Sequence, residues 1–292
     1  MSKSTSCRKI TVVLGNACNF RCKHCSDDST IRLNISKSEI PGLSKELDRN
    51  NISKITFVGG ETCFYVKEIN KILNPLTDLD RKTIKITTNG YFASTPESAL
   101  KKINSFKKID GIQLSYDIFH KNFLPFKNIK NLHGACKKLK KDFSVILTIS
   151  SPLDLLLIKK LRTVGEFKIG LQKVLPRGRA VKNKVFFNPI NFSKQVLTKK
   201  CPGRKEIIYM CQKGYTICCS NLFDKFPEEI IYKKSINELK NSSFHSLLTR
   251  NTFGELLKKF NLLLKKPPAL FSIECNLCQF IFKSIKPYEL NF

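Results

Sequence analysis

Cys18-Asn19-Phe20-Arg21-Cys22-Lys23-His24-Cys25 follows closely on the apolar run Ile10-Thr11-Val12-Val13-Leu14. Gaps of three and then two residues let one short loop turn three thiolates towards a common point. An iron–sulfur cluster is normally closed by four cysteines, so three leave one iron open to a ligand that is not protein. A structural zinc loop is the alternative, since Cys-x2-Cys is common there. Zinc takes four ligands, however, and His24 is poorly placed to be one because it adjoins Cys25.

Outward from this loop, β-branched runs alternate with amphipathic segments. Strands are expected at Ile10–Leu14, Lys54–Val58, Thr83–Thr88, Gly111–Ser115, Phe143–Ile149 and Phe167–Val174. Helices are expected at Lys37–Asn50, Tyr65–Leu73, Pro96–Phe106, Ile129–Leu139 and Pro152–Leu161. Strict alternation implies βαβ units and a parallel sheet, with chemistry at the C-terminal strand ends. Those ends carry the cysteine loop, Gly59-Gly60-Glu61, Thr87-Thr88-Asn89-Gly90 and Ser115-Tyr116-Asp117 in turn. Paired glycines permit a close backbone approach to a ligand. Each segment alone is an ordinary turn; together, at successive strand ends, they mark a site.

The C-x3-C-x2-C loop and these strand ends resemble the radical S-adenosylmethionine (radical SAM) superfamily. The resemblance implies an α/β fold, a partial (β/α)6 TIM-like barrel, with Cys18, Cys22 and Cys25 holding a [4Fe–4S] cluster. SAM would chelate the open iron and be cleaved to a 5′-deoxyadenosyl radical that abstracts a substrate hydrogen. The protein's part is to hold the reactive cofactor and exclude water. Expected cofactor-binding residues are His24, Gly59, Gly60, Glu61, Thr88, Asn89, Ser115 and Asp117. Thr62 stands where the family usually has Pro after the Glu. Pro176-Arg177-Gly178-Arg179-Ala180 resembles a Gly-Arg-Ala segment of the family, and Arg177 or Arg179 would pair with the SAM carboxylate. As a plain turn, the same segment carries two solvated arginines. His120 sits near the expected barrel mouth, as a contact to cofactor or substrate or as a hydrogen-bonded loop residue.

Beyond residue 190 the alternation stops and Cys201, Cys211, Cys218, Cys219, Cys275 and Cys278 appear. Glu206–Cys211 and Tyr215–Cys219 flank Gln212-Lys213-Gly214 and read as a β-hairpin. The tail resembles a twitch domain, a shortened SPASM extension, with Cys201, Cys219, Cys275 and Cys278 holding one auxiliary [4Fe–4S] cluster; zinc is the rival occupant. Strand alternation would turn Cys218 away from Cys219. Cys218 and Cys211 are therefore the candidate catalytic hydrogen donors, against buried or surface thiols with no role. Cys7, Cys63 and Cys136 read as small buried apolar residues. Ser235–Leu264 reads as helical. The expected domains are a radical SAM core over 1–185 and a small hairpin and helical cluster-binding domain over 186–292.

The totals agree with such a chain. Its 292 residues are 41% hydrophobic, enough for a core, and its 12 cysteines come without a secretion signal or spanning segment. A reducing, cytoplasmic location is expected, with thiols serving metal rather than disulfides. Of the 52 basic residues behind the formal charge of +29, ten are Arg. Nucleic-acid readers favour Arg, and no aromatic stripe interleaved with Arg is found. The charge reads as a lysine-rich solvated surface or as attraction to an acidic partner. No P-loop, hydrolase elbow or Rossmann fingerprint is present.

The leading reading is an oxidoreductase or maturase acting on a ribosomally made peptide by epimerisation, cross-linking or oxidation. It would draw electrons from a donor such as flavodoxin or ferredoxin. A small-molecule dehydrogenase and an RNA-binding or RNA-modifying protein are the alternatives. Neither a membrane nor nucleic acid is the expected partner of the leading reading.

Overall fold

The computed structural model describes residues 8–28, 31–219, 222 and 226–285. The chain divides into two compact units, one built on Ile10–Phe187 and the other on the chain from Asn188 onward.

The first unit alternates strands and helices: β1 (Lys9–Val13), α1 (Glu39–Arg49), β2 (Lys54–Val58), α2 (Val66–Leu73), β3 (Thr83–Thr88), α3 (Pro96–Asn104), β4 (Gly111–Ser115), α4 (Phe126–Lys138), β5 (Asp142–Ile149), α5 (Leu156–Arg162), β6 (Lys168–Lys173) and the single turn α6 (Arg179–Lys182). The strands lie in the order β6-β5-β4-β3-β2-β1, and the pairs from β2 to β6 are all parallel. The order does not close on itself, so this is a partial, TIM-like α/β sheet. Register follows the period of two. Ile10, Val12, Ile55, Phe57, Ile84, Ile86, Val145 and Leu147 are buried without exception, while the residues between them face the other side.

Helix ends follow local chemistry. Thr95 caps α3 through a reciprocal box with Ser98, and Pro96 occupies its first turn. The expected helix over Pro152–Leu161 divides into a 3-10 turn at Pro152–Leu155 and then α5. Asp154 causes the break. Its Oδ2 accepts from Ser150 N (2.7 Å), Ser151 N (3.0 Å) and Ser150 Oγ (3.0 Å), which tightens the first turn.

The second unit holds the antiparallel hairpin β7 (Ile207–Met210) and β8 (Gly214–Thr216), then α7 (Glu228–Ile231), α8 (Ile236–Asn241), α9 (Ser243–Arg250), α10 (Phe253–Lys259) and α11 (Glu274–Ser284). Gly214 has φ of 110°, and a Cβ there would stand 2.4 Å from the Lys233 carbonyl oxygen, so the hairpin needs glycine at this position. The helical stretch at Ser235–Leu264 is three short helices. Ser235, Ser242 and Thr252 each accept a backbone N–H of the following turn and restart the helix. Among the described residues no helix is long and apolar enough to cross a membrane.

Candidate metal centres

The first centre grows from the end of β1. Asn16 pins the entry to the cysteine loop, its Nδ2 donating to Ile31 O (2.8 Å) and its Oδ1 accepting from Leu33 N (2.9 Å). The end of β2 fixes the next residue: Glu61 N donates to Ala17 O at 2.7 Å, and Gly60 N to Gly15 O at 2.9 Å. A Cβ on Gly60 would lie 2.2 Å from Ala17 O and 2.5 Å from Asn16 O. A side chain at Gly60 would therefore collide with the cysteine loop, so glycine is needed there for the loop to pack against the end of β2. Gly59 is tight in the same way, 3.0 Å from Gly15 O.

Glu61 is fully buried and ties the ends of β2 and β3 together. Its Oε1 accepts from Cys63 N (2.9 Å) and Thr88 Oγ1 (2.6 Å), and its Oε2 from Asn89 N (2.8 Å). Burial raises its pKa, and the hydrogen bonds from Thr88, Asn89 and Cys63 offset part of that rise. Asn89 in turn reaches the loop, with Nδ2 2.9 Å from Asn19 Oδ1 and 3.8 Å from Cys18 Sγ. Ser115 ends β4 half-buried.

Past β4, Asp117 is buried and holds two histidines. Its Oδ1 caps Phe119 N (2.9 Å) and His120 N (3.0 Å), while its Oδ2 stands 2.9 Å from His120 Nδ1 and 3.4 Å from His24 Nε2. Burial alone would drive both imidazoles neutral. His120 is instead raised to about 10, because its bonds to Asp117 and to Cys22 outweigh desolvation. His24 falls to about 4, since burial prevails there over the pull of Asp117. The trio therefore holds one carboxylate, one imidazolium and one neutral imidazole. His24 also stacks on Phe119 (centroids 4.5 Å apart, 22° between planes), and Phe20 on Phe123 at 5.2 Å.

The last wall is the turn after β6. Arg179 N donates to Cys25 O at 2.9 Å, and Gly178, with φ of 54°, lies so close that a Cβ would reach 2.3 Å from Ser26 O. The Arg179 guanidinium has its pKa raised; burial works against this, and the Cys25 sulfur it bonds, with Cys22 and Cys18 behind, overcomes it. Arg177 begins the same turn, its N–H donating to Leu175 O (2.8 Å).

The three cysteines of the loop share one electrostatic environment. They sense one another's charge: Cys18 is raised by burial, then by Glu61, Cys22 and Cys25. Around these sulfurs, Cys18 Sγ accepts from Phe20 N at 3.4 Å, a His120 ring nitrogen lies within 4.8 Å of Cys22 Sγ, and the Arg179 backbone N–H holds the Cys25 carbonyl at 2.9 Å. Donors of this kind set the potential of an iron–sulfur centre. The group of ligand atoms close enough for a single ion is a different one, Cys22, His24 and His120, lying within 4.8 Å of one another. Both of its histidines face Asp117. The approach of His120 to Cys22 and the backbone bond from Arg179 N to Cys25 O are what sequence reading misses, because they join residues far apart in the chain.

The second centre lies within the second unit. One cleft is lined by Cys201, Cys218, Cys219, Cys275 and Cys278, together with Glu274. Cys275 and Cys278 sit one turn apart on α11 and so share a face. Burial raises Cys201 to about 12, with Cys218 and Cys219 adding to it, and Cys278 rises for the same reasons. The alternation that would turn Cys218 away does not apply. β8 ends at Thr216, the Cys218 N–H bonds back to Thr216 Oγ1 (3.0 Å), and both neighbouring cysteines line the cleft. Cys211 is buried in the hairpin turn and is not among the lining residues. Cys63 and Cys136 are buried, and Cys7 lies outside the described residues.

Comparison with known proteins agrees with this geometry. Residues 12–141 match the Radical SAM superfamily model. Curated protein sequences give no match. Among solved structures, native anSMEcpe with bound AdoMet and Cp18Cys peptide aligns with a TM-score of 0.58 at 12% identity, over 97% of this chain and 98% of that one. Methylornithine synthase (PylB) aligns at 0.46 and 14% identity, over 58% of this chain and 54% of that one, so the match spans about half of its length. Streptococcus suis SuiB aligns at 0.41 and 15% identity, over 77% and 65%. The matched stretch, 12–141, holds the three-cysteine loop and the ends of β1 to β4, so the site described above falls inside the region of likeness to that superfamily.

Proposed function

We propose that the chain is a radical SAM enzyme that modifies a peptide and carries one auxiliary cluster in its second unit. The observation that carries this reading is the three-cysteine loop at the end of β1, inside the stretch that matches the Radical SAM superfamily model and braced by the bonds Glu61 N to Ala17 O and Arg179 N to Cys25 O. When bound there, a [4Fe–4S] cluster supplies the electron that splits SAM into methionine and the 5′-deoxyadenosyl radical, which takes a hydrogen atom from the substrate. The chain's own residues hold and shield that centre. Cys18, Cys22 and Cys25 bind it, and His120 and Arg179 balance thiolate charge. Glu61 locks the ends of β2 and β3 beneath the loop, and Asn89 steadies Asn19. Asp117 keeps the proton on His120 rather than on His24, whose neutral face remains stacked on Phe119.

Cys201, Cys219, Cys275 and Cys278 are the proposed auxiliary ligands. Five thiols around one cleft support a polynuclear site, since buried thiols that raise one another's pKa release protons together when metal binds. The peptide substrate is supported by the full-length likeness to anSMEcpe, a structure with bound AdoMet and a peptide. An electron donor of the flavodoxin or ferredoxin kind is part of the proposal. So is Cys218 as hydrogen donor, if the reaction returns hydrogen to carbon.

The test is anaerobic reconstitution followed by reduction with dithionite in the presence of SAM. About eight irons per chain and release of 5′-deoxyadenosine are expected, in line with four-cysteine clusters. Cys18→Ala, Cys22→Ala and Cys25→Ala should each halve the iron and abolish 5′-deoxyadenosine. A wild-type protein that binds iron yet never cleaves SAM would remove the proposal. Four irons with zinc in the tail would remove the auxiliary cluster alone. Incubation with any short peptide found encoded beside the gene, read by mass, tests the substrate class.

A further inference from the structure

β6 is the last strand of the parallel order, with β5 on one side and no strand of the first unit on the other. Five of its six residues are exposed. Val174 N donates to Ile149 O on β5 at 2.9 Å. The period of two then turns the backbone groups of Lys168, Gly170 and Gln172 towards β5 and those of Ile169, Leu171 and Lys173 away from it. No hydrogen bond satisfies the outward groups of Ile169 and Leu171 among the described residues. Such an edge is a template for another strand.

Its side chains say which strand. Leu171 is 55% exposed, and Ile169, on the same face by the period of two, is half-buried. Lys168 and Lys173 bracket the apolar centre, and β6 itself carries no acidic residue. A second copy of a chain with charge +29 would be repelled from this edge. An extended acidic segment would meet lysines at both ends and apolar side chains between them, the usual logic of strand addition.

We propose that the outer edge of β6 docks an extended acidic segment of the peptide substrate, through backbone hydrogen bonds to Ile169 and Leu171 and charge contacts with Lys168 and Lys173. This rests on the peptide reading above, but binding needs no turnover, so the two can fail separately.

The experiment uses reconstituted full-length protein and two labelled probes, Glu-Val-Glu-Val-Glu-Val-Glu and Lys-Val-Lys-Val-Lys-Val-Lys, read by fluorescence anisotropy. The acidic probe should bind and the basic one should not. Leu171→Pro removes one outward N–H without touching the β5 ladder, and edges tolerate proline; it should weaken the acidic probe at least tenfold. The double variant Lys168→Glu with Lys173→Glu keeps the proposal falsifiable if Leu171→Pro unfolds, because it should invert the preference between probes. No binding of the acidic probe, equal binding of both probes, or equal binding by Leu171→Pro would overturn the proposal. So would a wild-type dimer that Leu171→Pro converts to monomer, since the edge would then belong to a second copy.

Discussion

Replacing Gly60 by alanine should damage the cysteine loop before it damages anything else. The new Cβ would stand 2.2 Å from Ala17 O, 2.5 Å from Ala17 C and 2.5 Å from Asn16 O. An ordinary contact is roughly 3.5–4.0 Å, so the backbone on one side must retreat by about 1.3 Å or more. All three neighbours are backbone, and they belong to the loop that presents Cys18. Overpacking of this kind costs about 1–3 kcal/mol, which in a unit of this size lowers the midpoint by roughly 2–10 °C. The retreat also pulls on Glu61 N→Ala17 O, the 2.7 Å bond that sets the start of the loop. Iron per chain should fall towards half in Gly60→Ala and more fully in Gly60→Val, while the tail retains its metal. The control is Gly134 in α4, where a Cβ meets nothing within 4 Å. Gly134→Ala should stabilise by about 1 kcal/mol through helix propensity. Iron assay and thermal denaturation of the three variants decide the matter. A Gly60→Ala protein with wild-type iron and midpoint would refute the placement of the loop against β2.

Glu61→Ala should strand three buried donors at about 1–3 kcal/mol each, lowering the urea midpoint far more than Gly60→Ala does; a loss below 1 kcal/mol would contradict its role as a clamp. At the second centre, Cys219→Ala should release about half of the iron and Cys218→Ala should not, read by iron content and electron paramagnetic resonance; the reverse pattern would make Cys218 the ligand. Burial pushes the Cys136 thiol up to about 12 from 9.0, so the folded state keeps a proton that the unfolded state loses. Stability from this group is full below about pH 9 and drains as pH rises towards 12. Between pH 8 and 10 it amounts to about 1.4 kcal/mol. Cys136→Ala should show a correspondingly shallower alkaline decline in denaturant titrations, and equal slopes would disprove the assignment.

The strands were legible because each is a short β-branched run bounded by turn residues, and β2, β3 and β4 fall on the expected ends. The division of Ser235–Leu264 was half-legible. Thr252 with Glu255 is a capping box visible in sequence, but apolar spacing alone runs straight across Asn251. At the site, the spacing of Cys18, Cys22 and Cys25 points to the superfamily whose model matches residues 12–141, while the residues that pack around the loop are not legible. His120 could be noticed only as a lone histidine, since what matters is its reach to Cys22 across the fold. At Gly60 the sequence announces a close approach, and the structure adds that the backbone of Ala17 and Asn16 is one of its neighbours, because a glycine in a sequence does not say which backbone comes near.

The walls of the cysteine loop also set a clock. Ala17 is fixed by Gly60, Asn19 by Asn89, Cys22 by His120 and Cys25 by Arg179. The last of these partners leaves the ribosome 154 residues after the cysteine it serves (179 − 25). At synthesis rates of roughly 5–20 residues per second, the thiols are made about 8–30 s before their socket exists. During that interval they are three unguarded nucleophiles on a nascent chain. A cluster seated there, as proposed, would find its full socket only after Arg179 has arrived.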